Sequence, residues 1–233
     1  MGYIFQGFRK AGELLLKGDP ETYSAILTTL KVSTLSISAS LLIGIPAGFL
    51  LGYLSFPGKR QIRAVFDTLL ALPTVVVGLF VYALISSRGP LGEFGLLFTI
   101  PGIAFAQTIL IIPIVVSLTA TAVEGLDRRF KMTLQTLGAQ GRQIVYAGIL
   151  EARFAVLTAA AAAYGRAISE VGISMMIGGN IKWHTRTITT AIALETGKGD
   201  FAMGVALGIV LLVLALAVNW ALIILKRKSQ QGF

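Results

Sequence analysis

The chain has 233 residues, of which 55% are hydrophobic and only 13% are charged, and it contains no cysteine. A soluble domain of this length cannot hide so much apolar surface, so the composition predicts an all-α polytopic membrane protein. The net charge is +9, but the basic residues are scattered between apolar stretches. This scatter argues against a nucleic-acid partner and favours a role in membrane topology. The lack of cysteine excludes disulfides and cysteine-ligated metal ions.

Residues 1–22 alternate apolar groups with charged ones. This pattern predicts an amphipathic helix at the membrane interface or a loosely ordered tail, and not a membrane span. Asp19 and Pro20 then indicate a helix start, with Asp19 as the cap. No stretch here is apolar enough for a signal peptide, and the chain ends soon after Lys228. We therefore expect neither a cleaved leader nor a C-terminal regulatory domain.

Five segments each supply the roughly 20 apolar residues that a bilayer core requires. The predicted spans are residues 25–54, 62–87, 99–123, 154–177 and 201–225. They form a transmembrane domain over residues 23–228, followed by a cytoplasmic tail over residues 229–233. In the first span Gly44, Gly48 and Gly52 recur at every fourth position, which predicts close helix contact. For any one of them, simple tolerance of glycine in lipid explains its presence equally well.

A polar block over residues 127–153 separates the third span from the fourth and carries five basic residues. Its apolar positions predict two short helices that break around Gly138 and Gly141. Such a block is typical either of an ordinary topology-setting loop or of a cytoplasmic docking element. If the block is cytoplasmic, eleven Lys and Arg residues lie on that side and seven lie outside. This excess favours an external N-terminus and a cytoplasmic C-terminus.

Arg166 and Glu170 are charged residues inside the fourth predicted span, and a spacing of four places them on one helix face where they can pair. Charges at membrane depth usually mark a water-lined path or a bundle interior, so the pair serves either transport or helix pinning. Lys31 and Asp67 lie nearer to span ends, where snorkelling explains them. The glycines after Glu170, with the polar segment that follows, predict a flexible lining or gate, or alternatively an external hairpin.

The chain shows no nucleotide-binding motif, and Gly197-Lys198 lacks the glycine and hydroxyl residues of a P-loop. His184 is the sole histidine, so we expect no metal site of the ordinary type. No catalytic constellation is visible, so we do not expect the chain to be an enzyme.

Residues 167–172, 177–180 and 185–187 resemble the oxyanion branch of ABC importer permeases. In molybdate and sulfate permeases the corresponding stretch reads close to Leu-Gly-Glu-Phe-Gly, then Gly-Asn, then Thr-Arg-Thr. The variations at Ser169, Val171 and the doubled glycine are most similar to tungstate permeases. The polar block also resembles the coupling loop of this family. Aligned on Gly138, it keeps Ala139 and Leu150 but departs from the family motif at residues 132–134, 148 and 151.

The resemblance implies a five-helix transmembrane permease core of the type I importer kind with a cytoplasmic coupling helix. It implies import of an oxyanion, with tungstate favoured and molybdate or sulfate as alternatives, across a prokaryotic inner membrane. The expected partners are a second copy of the chain, cytoplasmic ATPase subunits that bind ATP and magnesium, and an external substrate-binding protein. This chain itself would bind no cofactor.

The coupling candidates are Thr136, Leu137, Gly138, Ala139, Gln140 and Arg142. The candidates for the translocation path are Arg166, Ser169, Glu170, Gly172, Gly178, Gly179 and Asn180. Two other classes of function compete with this hypothesis. A secondary transporter would exchange protons or ions at Arg166 and Glu170, but we find no internal repeat of the kind that such transporters usually carry. A membrane-anchored enzyme would need catalytic groups that the chain does not show.

Overall fold

In the computed structural model, the backbone of residues 2–231 is described, with side chains except at residues 128, 129, 131, 135, 222 and 225–231. These residues form eleven α-helices and one short 3₁₀-helix, Gly92–Phe94. The α-helices are α1 Gly2–Leu16, α2 Pro20–Tyr53, α3 Lys59–Leu69, α4 Thr74–Ile85, α5 Ile100–Glu124, α6 Arg128–Thr136, α7 Gly141–Glu151, α8 Arg153–Ile168, α9 Gly172–Gly178, α10 Ile188–Gly197 and α11 Phe201–Gln231. No strand forms within this part of the chain, so the predicted all-α class is confirmed.

Helix α2 starts where the sequence predicted a cap. The Asp19 carboxylate accepts a hydrogen bond from the Thr22 N–H at 2.8 Å, and Pro20 occupies the first turn, where its missing N–H costs nothing. The helix begins at Pro20, five residues before the start of the predicted span at residue 25. It continues to Tyr53 and has 34 residues. At about 1.5 Å per residue, α2 is considerably longer than a hydrocarbon core is thick.

The centre of the fold is the parallel packing of α2 against α5 through a stripe of glycines. A Cβ atom on Gly44 would lie 2.7 Å from the Val115 side chain. A Cβ on Gly48 would lie 2.7 Å from the Val116 carbonyl oxygen, and one on Gly52 would lie 2.7 Å from the Ala120 carbonyl oxygen. The missing side chains therefore let the two backbones approach, which confirms the predicted contact surface.

Helix α8 runs antiparallel to this pair. Ala163 and Ala167, near its end, pack in one cluster with Ile37 of α2, while Val156, near its start, packs with Phe49. The contact order is thus reversed relative to α5. This reversal is expected, because an even number of predicted spans lies between α8 and each partner: two between α2 and α8, and none between α5 and α8. The absolute orientation in the membrane stays a prediction.

Two predicted spans are not continuous helices. Residues 62–87 divide into α3 and α4, which meet at 98°. Pro73 lies at this break, where it can donate no hydrogen bond and restricts the residue before it. Residues 154–177 divide into α8 and α9, and α7 meets α8 at 69°. Within the described residues, three helices are long and apolar enough to cross a membrane, and up to five spans result if each bent pair counts as one.

Residues 2–16 form an ordered helix, not a loose tail. Helix α1 packs on α11, where Gly7 lies so close to Val205 that any side chain at position 7 would collide with it. Lys10 pairs with Asp200 at 3.2 Å, and Asp200 also accepts a hydrogen bond from the Met203 N–H at 2.9 Å. These two donors hold the pKa of Asp200 below its usual range, with the Met203 N–H contributing most. Location of α1 at the membrane interface stays a prediction.

Candidate functional site

Arg166 and Glu170 form the predicted ion pair, with 3.1 Å between the guanidinium Nη1 and the carboxylate Oε2. The two partners differ in exposure, because the Glu170 side chain is 2% exposed and that of Arg166 is 39% exposed. The prediction of a shared helix face was wrong, since α8 ends at Ile168 and Glu170 lies beyond it. The pair therefore spans a helix end, with its anion buried and its cation partly open.

Glu170 also organises the break between α8 and α9. Its Oε1 accepts a hydrogen bond from the Ile173 N–H at 3.1 Å, in the first turn of α9. Its carbonyl oxygen accepts from the Ser174 hydroxyl at 3.2 Å and from the Thr189 hydroxyl at 2.9 Å. A broken helix in a membrane leaves backbone groups that need partners. Glu170 meets part of this need, so its carboxylate has a structural task besides neutralising Arg166.

Two further path candidates lie at the same junction. The Ser169 side chain is exposed, and its hydroxyl donates to the Arg166 carbonyl oxygen at 3.1 Å. A Cβ on Gly172 would lie 3.1 Å from the Thr74 hydroxyl and 3.4 Å from the Glu170 Oε1. Glycine at position 172 thus lets the start of α4 approach the buried carboxylate. The structure brings Arg166, Ser169, Glu170 and Gly172 together.

The remaining path candidates lie apart from these, at the other end of the seven-residue helix α9. Gly179 and Asn180 both adopt positive φ, +67° and +51°, and reverse the chain. The turn is held by side chains, because the Thr185 hydroxyl donates to the Gly178 carbonyl and Arg186 Nε donates to the Asn180 Oδ1 at 3.1 Å. Gly178, Gly179 and Asn180 therefore form a well-bonded turn and do not contact the charged pair.

Gln107 is a polar residue of this region that the sequence reasoning missed. Its side chain is 2% exposed within α5, and its amide nitrogen lies 3.5 Å from both the Ala167 carbonyl oxygen and the Ser174 hydroxyl. Its Oε1 accepts from the Ser36 hydroxyl at 3.1 Å. Gln107 thus connects α2, α5 and the junction in one buried network. An amide in the middle of an apolar span could have identified it, because polar groups at membrane depth need partners.

The polar block folds as predicted into two short helices, α6 and α7, joined by residues 137–140. Gly138 has φ of +67°, and a Cβ on it would meet nothing within 4 Å. The Ala139 N–H donates to the Leu134 carbonyl at 3.0 Å, which is the bond that closes a helix on a left-handed residue. Gly138 is therefore required for its backbone conformation, and its surroundings within this chain are open.

The coupling candidates around Gly138 lie on an exposed surface. Leu137 is 76% exposed, and Thr136, Gln140 and Arg142 are exposed as well, while Ala139 is half-buried. The Gln140 N–H donates to the Gln143 Oε1 at 2.8 Å at the start of α7.

Helix α7 is anchored to the membrane domain through Gly148. A Cβ at this position would overlap the ring of Phe49 in α2, and Phe49 is itself 1% exposed. Residue 148 is one of the departures from the family motif noted above. The structure gives the reason for this departure, because the Phe49 ring occupies the space that a larger side chain would need.

Comparisons with known proteins agree with this architecture. Residues 44–231 match the family described as "Binding-protein-dependent transport system inner membrane component". The chain belongs to this family. The permease protein TupB of the Campylobacter jejuni tungstate uptake system is 49% identical over 97% of this chain and 95% of its own length. The corresponding TupB of Peptoclostridium acidaminophilum is 39% identical over 94% of this chain and 96% of its own.

Among solved structures, the inward-facing MetNI methionine ABC transporter includes a chain that superimposes with a TM-score of 0.73 at 18% identity. The superposition covers 90% of this chain and 96% of that one. The superposition confirms the predicted fold of an importer permease, and membership of the family makes this chain a multi-pass component of an inner membrane. The matched residues include the polar block and the turn at Gly179. They also include the break between α8 and α9 with the Arg166–Glu170 pair, which we call the charged junction.

Proposed function

We propose that this chain is the transmembrane subunit of an ATP-driven importer for a tetrahedral oxyanion, with tungstate favoured over molybdate and sulfate. The observation that carries the proposal is the 49% identity, over nearly the whole of both chains, to a tungstate uptake permease. The exposed guanidinium of Arg166 adds chemical support, because an anion in a low-dielectric path is disfavoured unless a cation faces it.

The charged junction suggests how the path can bind an anion without trapping it. At rest, Glu170 neutralises Arg166 across 3.1 Å, so the guanidinium does not hold a dianion permanently. When the path opens, a passing anion competes with the Glu170 carboxylate for the exposed guanidinium. The carboxylate stays fixed by the Ile173 N–H and can recapture Arg166 after release. The exchange makes binding reversible, which transport requires.

The exposed turn at Gly138 is the proposed docking surface for a cytoplasmic ATPase subunit, which binds ATP and magnesium. Leu137 would enter a groove of that subunit, and the Gly148–Phe49 contact would pass movement of α7 to α2. This assignment places the polar block and the C-terminus in the cytoplasm and the N-terminus outside. The other proposed partners are a second copy of this chain, as a homodimer, and an external binding protein that delivers the anion.

The experiment that tests this function reconstitutes the chain into proteoliposomes with its ATPase subunit and its binding protein. We expect tungstate uptake that requires both ATP and the binding protein. Molybdate and sulfate, presented in parallel with the same binding protein, should be taken up less well. Uptake that follows an imposed proton or sodium gradient without ATP would contradict the proposal and support a secondary transporter. Preferential uptake of molybdate or sulfate would support an ATP-driven oxyanion importer, but with that anion as its substrate instead of tungstate.

A further inference from the structure

Lys31 is a cation inside α2 that lies out of reach of the charged residues at the start of that helix. It lies ten residues beyond Glu21 along the same helix, which is about 15 Å at 1.5 Å per residue. Glu21 pairs with Lys182 at 2.6 Å and also with Arg186, so these three residues form a charged belt at the outer end of α2. A distance of about 15 Å is roughly half of a bilayer core. The lysine stem is too short to bring its ammonium back to that belt.

Lys31 is exposed, and it makes no ion pair or hydrogen bond with any described residue. The chain's other cations within the predicted spans are neutralised, Arg63 by Asp67 and Glu124 and Arg166 by Glu170. All eleven carboxylates of the sequence lie in the described part of the chain, and none reaches Lys31. Seven are already in ion pairs with other residues: Glu13, Glu21, Asp67, Glu124, Glu170, Glu195 and Asp200. The other four lie outside the predicted spans: Asp19, Glu93, Asp127 and Glu151.

A second copy of the chain does not supply the missing counter-charge for Lys31. A symmetric partner offers the same eleven carboxylates at the same depths, so it has no free carboxylate at the level of Lys31 either. A cation at membrane depth that lacks a fixed counter-charge is costly unless water or a mobile anion reaches it. The ammonium of Lys31 therefore has to face an aqueous space.

The surface around Lys31 is polar along one helix face. Thr34 and Ser38 follow Lys31 at the third and seventh positions, and all three are exposed. The Thr34 hydroxyl lies 2.9 Å from the Tyr164 hydroxyl of α8, which fixes its position. These residues border an open concavity of about 530 Å³, which Leu30, Leu35 and Ile100 complete. An ammonium with three donors, followed by two hydroxyls, matches the acceptor oxygens of a tetrahedral anion.

We propose that Lys31, Thr34 and Ser38 form a second contact for the oxyanion, on α2 and separate from the Arg166–Glu170 pair. Lys31 supplies the charge, and the two hydroxyls supply weaker donors further along the helix. Because no carboxylate neutralises Lys31, its charge stays available to the anion and sets how readily the anion enters this part of the path. This proposal rests on the proposed import of an oxyanion.

The first test measures ATP-dependent tungstate uptake by reconstituted Lys31→Met, Lys31→Arg and wild-type complexes. Methionine keeps the apolar stem and removes the charge, so we expect uptake at sub-saturating anion to fall at least tenfold. Arginine keeps the charge and should stay within about threefold of wild type. The control is Lys17→Met, which removes a lysine outside the spans and should leave uptake unchanged. The amount of each complex in the membrane is measured in parallel.

The second test uses chemical rescue, because the chain has no native cysteine. A Lys31→Cys variant should lose uptake and should be modified by water-soluble methanethiosulfonates. The 2-aminoethyl reagent restores a positive charge and should restore uptake, whereas a neutral methyl reagent should not. A purely structural lysine would not distinguish these two reagents.

The outcomes separate this inference from the proposed function. A wild-type complex that takes up no oxyanion overturns the proposed import itself. A wild-type complex that transports tungstate together with a Lys31→Met complex within twofold of it overturns only the role of Lys31. If water-soluble reagents do not modify a cysteine at position 31, the position faces lipid and its lysine lies near phospholipid phosphates. This result also overturns the role of Lys31.

Discussion

The glycines between α2 and α5 and Gly138, in the turn between α6 and α7, have opposite surroundings. A side chain on Gly48 would meet the Val116 carbonyl and the Thr119 side chain at 2.7 Å. A side chain on Gly138 would meet nothing within 4 Å, but its φ of +67° disfavours most residues. Position 48 requires glycine because neighbouring atoms leave no room for a side chain. Position 138 requires glycine because of its backbone conformation. The comparison teaches that packing inside the chain requires glycine in one region, whereas the backbone conformation of an exposed turn requires it in the other.

The largest effect should come from Gly48→Val, which attacks the packed region. Its Cβ would press on a backbone carbonyl that cannot rotate away, so we expect a cost at or above the roughly 1–3 kcal/mol typical of overpacking. The measurement is the yield and thermal stability of the purified chain in detergent. The matched control is Gly208→Val in α11, where a Cβ meets nothing within 4 Å. Equal stability of the two variants would contradict the packing argument.

The charged junction lies between these extremes, because Glu170 is packed while Arg166 is partly open. Arg166→Ala should abolish uptake, and it should destabilise the chain by about 3 kcal/mol because a buried carboxylate loses its partner. Glu170→Gln keeps an oxygen for the Ile173 N–H, so it should fold normally and only slow transport. The measurements are tungstate uptake and thermal stability.

The double variant Arg166→Ala with Glu170→Gln distinguishes the two roles of this pair. Stability should return, because no unpaired charge remains buried. If Arg166 serves the anion directly, uptake should stay lost. Recovery of both stability and uptake would show that the pair is only structural.

A smaller effect is expected from Gly138→Val in the open region. The left-handed conformation costs about 1–2 kcal/mol for an ordinary residue, so docking of the ATPase and uptake should fall roughly tenfold. Insertion and stability of the membrane domain should not change. The control is Gly138→Asn, because asparagine tolerates this conformation and should transport nearly normally. Full uptake by Gly138→Val would contradict the assignment of this segment as the docking surface.

Single cysteines at Gln140 and Trp183 test on which side of the membrane each of these two positions lies. Both positions are exposed, and the native chain has no cysteine to give background. We expect a membrane-impermeant thiol reagent to label position 140 only from the cytoplasm and position 183 only from outside. The reverse pattern would overturn the proposed orientation, and with it the docking of an ATPase at Gly138.

Much of the fold was predictable because it depends on local sequence. Runs of apolar residues define membrane helices, and the Asp19–Pro20 start and the break at Gly138 follow from short-range hydrogen bonding and backbone preference. The spacing of Arg166 and Glu170 was sufficient to predict that they pair. It did not reveal that α8 ends between them, because that break is held partly by Thr189, nineteen residues further along the chain.

The tertiary structure alone decided which residues meet across helices. The sequence indicated a close-packed face at Gly48, but only packing showed that α5 lies against it. The same holds for Gln107 between α2 and α9, for Phe49 over Gly148 and for Lys31 with no carboxylate in reach. Hydropathy and capping act over a few residues, so the sequence alone determined which stretches are helical but not where α8 breaks. A partner far along the chain depends on how whole helices pack, and only the folded chain specifies that.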